Sequence, residues 1–100
     1  MKIFLTGATG LLGGEIVVDL SRQKNVEKIF CLVRGVTDLA ALEKLKSVFA
    51  LRNDHFDPEL ITVINGDLRD PSLHLQLQKI PELNEVDTII HSAEIGRAHV

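Results

Sequence analysis

A glycine-rich segment at residues 6–13 constrains the fold of this chain more than any other feature of its sequence. It follows the apolar run at residues 3–5 and precedes a stretch of helical periodicity. A glycine-rich turn between a strand and a helix lets phosphate groups reach backbone N–H groups and a helix N-terminus. The context therefore predicts a strand, a tight turn and a helix arranged around a nucleotide.

Short apolar runs alternate with segments of helical period along the rest of the chain, which is typical of parallel βαβ units. The runs predict strands near residues 2–5, 28–33, 60–64 and 86–90, each buried on both faces. Right-handed crossovers then give an α/β fold, the first half of a Rossmann-like doubly wound parallel sheet with strand order 3-2-1-4. We expect residues 1–93 to form this half-domain, with its ligand crevice at the carboxyl ends of the first and fourth strands.

The helical segments predict which side chains pack on the sheet and where the helices begin. In the first helix, three apolar side chains share the face expected to be buried: Leu12, Ile16 and Leu20. Asp70 followed by Pro71 predicts the cap and first residue of the third helix. Pro81 is expected to end or bend that helix.

Composition narrows the class of protein and its partners. A chain of 100 residues with 45% hydrophobic and 25% charged residues is typical of one globular domain, and a net charge of −3 argues against nucleic acid as a partner. The single cysteine, Cys31, excludes an intramolecular disulfide, and the dispersed histidines predict no metal site. No apolar run approaches the roughly 20 residues that span a bilayer. We therefore expect a cytoplasmic protein with a buried, reduced thiol and no membrane span.

The three glycines of the segment have distinct predicted roles. Gly7 permits the tight turn, Gly10 lets a pyrophosphate approach the backbone, and Gly13 lets the helix pack close to the sheet. The spacing is G-x-x-G-x-x-G, and a turn that only packs closely is the alternative interpretation. The surrounding strands and helices favour a dinucleotide.

The residues that end the second and third predicted strands bear on which dinucleotide binds. Arg34 stands where NAD-dependent enzymes commonly place an acid, and its guanidinium suits a 2′-phosphate better than a hydroxyl. The sequence therefore favours NADPH over NADH, with a solvated arginine as the alternative. Asp67 is positioned to accept a hydrogen bond from the adenine amino group while Leu68 covers the base, although Asp after Gly also suits an ordinary turn.

With these residues in place, the chain resembles the extended short-chain dehydrogenase/reductase superfamily. Within it, the chain resembles the thioester reductase and fatty acyl-CoA reductase branch, which has a male sterility-type NAD(P)-binding domain. The resemblance lies in residues 6–13, 31–34, 66–68 and 86–93. The glycine segment would fit any extended member, whereas residues 31–34 and 86–93 favour the reductases.

The resemblance implies NADPH-dependent reduction of an acyl thioester, on coenzyme A or a carrier protein, to an aldehyde or an alcohol. It also implies a 2′-phosphate clamp formed by Arg34 and Lys44, although many relatives have arginine at the position of Lys44. The full set of expected cofactor-binding residues is Gly7, Thr9, Gly10, Leu11, Leu12, Gly13, Arg34, Lys44, Asp67, Leu68 and Ala93.

Relatives of this branch catalyse with a Ser or Thr and a Tyr-x-x-x-Lys pair, in which the tyrosine protonates the developing alkoxide. This chain contains no tyrosine, so we predict no catalytic residue in it. Residues 94–100 match the translation of one frame of a widely used sequencing adapter, so we expect the native sequence to end near Ala93 and the rest to be a non-native tail. Because Met1 leads directly into the first strand, we expect a stand-alone reductase if Met1 is the native start.

Two other functions remain open at this point. A nucleotide-sugar epimerase or dehydratase would retain NAD and usually carries an acid at the end of the second strand, so Arg34 weighs against it. A non-enzymatic NAD(P) sensor would use the same turn and lack the Tyr-x-x-x-Lys pair. Residues beyond Ala93 would decide between an enzyme and a sensor.

Overall fold

A computed structural model describes residues 1–92 of the chain as a parallel sheet with helices on both faces. The strands are β1 (Lys2–Thr6), β2 (Lys28–Val33), β3 (Ile61–Asn65) and β4 (Thr88–His91). The helices are α1 (Leu11–Ser21), α2 (Asp38–Leu51) and α3 (Leu73–Gln78), and a short 3₁₀ helix spans Pro81–Glu85.

The sheet has the strand order β3-β2-β1-β4, and all three strand pairs are parallel. This confirms the predicted fold, while β3 and β4 begin one and two residues later than predicted. In the register, Thr6 lies opposite both Leu32 and His91, and Val33 lies opposite Asn65. The carboxyl ends of the strands therefore meet at one edge, where the ligand crevice of such a sheet lies.

Each face of the sheet has its own apolar core. On one face, α1 and α2 bury the largest fully enclosed side chains of the described residues: Ile3, Leu5, Val17, Ile29, Cys31, Leu45 and Phe49. On the other face, α3 and the 3₁₀ helix cover a smaller cluster made by Phe30, Leu32 and Ile64. Burial on both faces explains why the strands read as continuous apolar runs.

The buried face of α1 differs from the predicted one. Leu20 is buried and Ile16 is partly buried against the core, as expected, but Leu12 is 64% exposed, and Gly13, Val17 and Val18 also face inward. The reason is local, because the start of the helix packs backbone against backbone at Gly13. Apolar periodicity predicted Leu12 on the buried face, whereas the close approach predicted for Gly13 was the signal for the observed rotation.

The third helix also begins and ends differently from the prediction. It starts at Leu73, and Asp70 does not cap it. The Asp70 carboxylate instead accepts hydrogen bonds from the backbone N–H and hydroxyl of Ser72, at 2.9 and 2.8 Å, which forms an Asx turn. Pro81 opens the 3₁₀ helix, and α3 has already ended at Gln78.

Candidate cofactor-binding site

The glycine turn joins β1 to α1 at the carboxyl edge of the sheet. Gly7 has a φ of 80°, a left-handed conformation that favours glycine, and its carbonyl accepts a hydrogen bond from the N–H of Gly10 at 3.1 Å. Gly10 precedes the first helical residue and provides no side-chain cap. The first N–H groups of α1 therefore have no side-chain cap, which is the arrangement that binds phosphate at helix N-termini.

Gly13 allows α1 to approach the end of β1 closely. A Cβ atom at this position would lie 1.7 Å from the Gly7 carbonyl oxygen and 2.6 Å from Ser92 Oγ. No side chain fits there, so the helix N-terminus lies directly over the turn. The geometry fits the tight turn and close packing expected of Gly7 and Gly13, and their contact with a cofactor remains a prediction.

The ends of β1 and β4 are joined beneath this turn by polar contacts. The backbone N–H and hydroxyl of Ser92 both donate to the Thr6 carbonyl at 3.1 Å, and Thr6 Oγ1 lies 2.6 Å from His91 Nδ1. Ser92 and Thr6 are buried, whereas His91 is exposed. Ser92 is not among the predicted site residues, although its position at the end of an apolar run next to the crevice was a usable signal.

A cationic cluster lies at the ends of β2 and β3. Lys44, on α2, donates a hydrogen bond from Nζ to the Arg34 carbonyl at 2.5 Å. The Arg34 side chain is 61% exposed, and its Nη1 lies 3.6 Å from Asp67 Oδ2. The structure therefore brings together three predicted residues that are far apart in the sequence.

Arg69 belongs to the same cluster and was not predicted. Its backbone N–H and Nε approach Asp67 Oδ1 at 2.9 and 3.3 Å, and its Nη2 lies 3.1 Å from Oδ2. Both carboxylate oxygens of Asp67 therefore accept hydrogen bonds from Arg69. The available signal was the Gly-Asp pair before it, because an aspartate in a turn commonly bonds the backbone N–H two residues later.

The remaining predicted residues that the structure describes lie around the glycine turn or after β3. Thr9, Leu11 and Leu12 are exposed around the start of α1, and Leu68 is about half exposed after β3. Ala93 lies outside the described residues. The exposed apolar side chains stand near polar groups that fit phosphates, a combination that suits the bases and sugars of a dinucleotide.

The described residues give little support to a reactive thiol, a metal site or a membrane-spanning helix. Burial raises the pKa of the Cys31 thiol to about 12, so the reactive thiolate is disfavoured in the folded protein. Among residues 1–92, no three His, Cys, Asp or Glu side chains come together as a metal site. None of the helices in this range is long and apolar enough to cross a membrane.

Comparison with known sequences identifies relatives along most of the chain. It is 36% identical to nonribosomal peptide synthetase 5 of Gibberella zeae, with 99% of this chain and 1% of that protein aligned. It is 37% identical to the L-2-aminoadipate reductase large subunit of Penicillium chrysogenum and 36% identical to the aldehyde reductase lnaA of Aspergillus flavus. Those alignments cover 93% and 89% of this chain, and 7% and 9% of the two relatives. The chain therefore spans less than a tenth of the length of each.

Solved structures lead to the same group of proteins. The PhqB reductase domain from Penicillium fellutanum superposes with a TM-score of 0.77 at 34% identity, over 92% of this chain and 26% of that one. The reductase domain of a nonribosomal peptide synthetase from Mycobacterium tuberculosis gives 0.69 at 33% identity, over 92% and 24%. The male sterility protein family matches residues 5–97. This chain, with its glycine turn at the carboxyl edge of a 3-2-1-4 sheet, belongs to the male sterility protein family of NAD(P)-binding reductase domains.

Proposed function

We propose that this chain binds NADPH for a reductase that converts an acyl thioester into an aldehyde or an alcohol. The observation that carries the choice of cofactor is the cationic end of β2, where the exposed Arg34 lies beside Lys44. An acid at this point would favour the ribose hydroxyl of NADH, whereas a guanidinium gains charge-assisted hydrogen bonds from a 2′-phosphate.

The chain's own residues bind and orient the cofactor in this proposal. The N–H groups at the start of α1, beside Gly10, hold the pyrophosphate, and Gly13 keeps the helix close enough to present them. The other proposed contacts are Thr9, Leu11 and Leu12 near the turn, and Asp67 and Leu68 near the adenine. Ala93 is also a proposed contact, although it lies outside the described residues. The bound nicotinamide supplies hydride for the reduction.

The names of the relatives support the reaction class. Two of them are named aldehyde reductase and L-2-aminoadipate reductase, and the solved structures are named reductase domains. Because the resemblance lies with thioester reductases, the proposed substrate is an acyl group on coenzyme A or a carrier protein.

Two further assignments belong to the proposal. The protein acts in the cytoplasm, where Cys31, a buried cysteine with no second cysteine in the chain, remains reduced. Residues 94–100 are a non-native tail behind the binding region at residues 1–93. Resequencing the gene on both strands tests whether these seven residues are non-native. The same seven codons in genomic DNA would contradict this assignment.

The reaction is tested with a native protein that contains these residues and the remainder of the reductase. NADPH oxidation is followed with an acyl-CoA thioester and, as the control, with the free acid of the same acyl group. We expect oxidation with the thioester alone, and an aldehyde or alcohol as product. No oxidation with the thioester would contradict the proposed reaction. In a parallel assay with NAD, conversion of a nucleotide sugar without net cofactor oxidation or reduction would instead support an epimerase or dehydratase, and cofactor binding without conversion of either substrate would favour a sensor.

A further inference from the structure

Two arginine side chains approach a single carboxylate oxygen at the edge of the proposed cofactor site. Asp67 Oδ2 lies 3.1 Å from Arg69 Nη2 and 3.6 Å from Arg34 Nη1. The two arginines reach it from different strand ends, since Arg34 follows β2 and Arg69 lies beyond β3. The positive groups therefore converge on one point in space.

This convergence differs from an ordinary surface ion pair. An isolated exposed pair contributes little to stability, because water and salt screen it. Here the backbone N–H of Arg69 also bonds the same carboxylate, at 2.9 Å, and fixes the start of the Arg69 side chain relative to Asp67. Lys44 is a third cation nearby, and it bonds the backbone carbonyl of Arg34 and not the Asp67 carboxylate. These residues form an anion-binding subsite that the carboxylate of Asp67 occupies in this structure.

The chemistry of the subsite fits a phosphate better than a carboxylate. A phosphate ester carries close to two negative charges at neutral pH and has three acceptor oxygens, enough to receive bonds from two guanidinium groups and an ammonium group together. Asp67 supplies one negative charge and has both oxygens engaged by Arg69. A phosphate that binds in this subsite pairs with the cationic side chains and displaces the Asp67 carboxylate from Arg34.

We propose that Arg69 is a further 2′-phosphate-binding residue and that Asp67 is the internal anion that holds Arg34 and Arg69 in place until the phosphate arrives. This inference rests on the proposed function, because it assumes that the site takes NADPH. It also gives Asp67 a second role beside the proposed contact with the adenine, as the anion that the phosphate displaces from Arg34. Removal of its charge therefore strengthens phosphate binding.

The test uses small probes that isolate the 2′-phosphate. Calorimetric titrations of the full chain compare 2′,5′-ADP, 3′,5′-ADP and 5′-AMP, for wild type and for Arg69→Ala, Asp67→Asn and Lys79→Ala. The first two probes carry the same phosphate groups at different ribose positions, and 5′-AMP lacks the second phosphate. Lys79→Ala is the matched control, because it removes one exposed cation that follows α3, whereas the ion pairs at Asp67 in the described residues come from Arg34 and Arg69. Circular dichroism checks that each variant is folded.

We expect Arg69→Ala to weaken 2′,5′-ADP by about tenfold, the loss of one charge-assisted contact, with 5′-AMP unchanged. Asp67→Asn should raise the preference for 2′,5′-ADP over 5′-AMP by about threefold or more, because a fixed negative charge beside the phosphate has gone. Lys79→Ala should change neither probe. Equal effects of Arg69→Ala on both probes, or an unchanged or lower preference for 2′,5′-ADP with Asp67→Asn, would overturn the inference.

The wild-type titrations separate this inference from the proposed function. If wild type binds 2′,5′-ADP no tighter than 5′-AMP or 3′,5′-ADP, the assignment of NADPH itself fails. If wild type prefers 2′,5′-ADP and Arg69→Ala keeps the full preference, the proposed cofactor stands and the role of Arg69 is refuted.

Discussion

At the scale of single residues, Gly13 sets how closely the first helix approaches the sheet. A Cβ atom there would lie 1.7 Å from a backbone oxygen of Gly7, which cannot swing aside as a flexible side chain can. The next residue, Gly14, faces a different neighbour, because its Cβ would meet the guanidinium end of Arg52 at 2.8 Å. Two adjacent glycines therefore differ in what a methyl group would disturb.

We predict that Gly13→Ala lowers the free energy of unfolding by about 2 kcal/mol or more, since α1 must shift outward to make room. Gly14→Ala is the matched control and should cost far less. The end of the Arg52 side chain can move, Val48 Cγ1 at 3.1 Å needs to shift by only a few tenths of an ångström, and alanine gains about 1 kcal/mol over glycine inside a helix. Urea unfolding of both variants measures the difference. Equal stability of the two variants would contradict the close packing at Gly13.

The residues of the site differ in how far the sequence reveals them. Arg34 was predictable because a strand end in this fold has a fixed position relative to the ligand crevice. Arg69 was missed, because the Gly-Asp pair before it indicates a turn but not that this turn brings the Arg69 side chain to the Asp67 carboxylate. Ser92 was missed because its bonds depend on how two strand ends meet in space, and its position after an apolar run was the one local signal.

At the scale of elements, the alternation of apolar runs and helical segments predicts the fold. It does not predict which face of a helix packs on the sheet or at which residue a helix begins. The strands could be predicted because burial on both faces makes them continuously apolar. The rotation of α1 could not be predicted from apolar periodicity, because backbone contact at Gly13, which the glycine spacing did predict, outweighs the burial of Leu12. The start of α3 was missed because Asp70 bonds Ser72 in a turn that precedes the helix.

An aspartate just before β4 contributes to the attachment of this strand to β1. Asp87 accepts a hydrogen bond from Thr88 Oγ1 at 2.7 Å and from the backbone N–H of Lys2 at 3.3 Å. These contacts, the Thr88 hydroxyl first, lower the pKa of the Asp87 carboxyl below its usual value. A lowered folded-state pKa means that the stabilisation is present above the unfolded-state pKa and is lost as the pH falls through the folded-state value.

We therefore predict that the free energy of unfolding falls as the pH drops below about 4, the usual pKa of an aspartate, and that Asp87→Asn reduces this dependence. Chemical unfolding at a series of pH values measures it. Asp19→Asn, on the exposed side of α1, is the control and should follow the wild-type profile. An unchanged acid dependence in Asp87→Asn would exclude this contact as a contributor.

At the scale of the whole molecule, one edge of the sheet carries exposed apolar surface. Among the described residues β4 pairs only with β1, and Ile89 on this strand is 74% exposed. A groove of about 240 Å³ lies beside it, lined by Phe4, Leu77, Leu83, Val86 and Ile89. An exposed strand edge next to an apolar groove favours contact between chains.

We predict that the 100-residue chain self-associates as its concentration rises, and that Ile89→Lys shifts this association to higher concentration. Sedimentation velocity over a range of concentrations measures the effect. Leu51→Lys is the control, because Leu51 is 82% exposed at the end of α2. A similar shift in both variants would indicate that added charge, and not the edge of β4, is responsible.

The central claim, that this chain binds NADPH through the cationic end of β2, is tested most directly by calorimetric titration with NADPH and NADH, for wild type and Arg34→Ala. We predict that wild type binds NADPH about tenfold tighter or more, and that Arg34→Ala removes most of this preference while NADH affinity stays nearly unchanged. Equal affinities of wild type for the two cofactors would contradict the account.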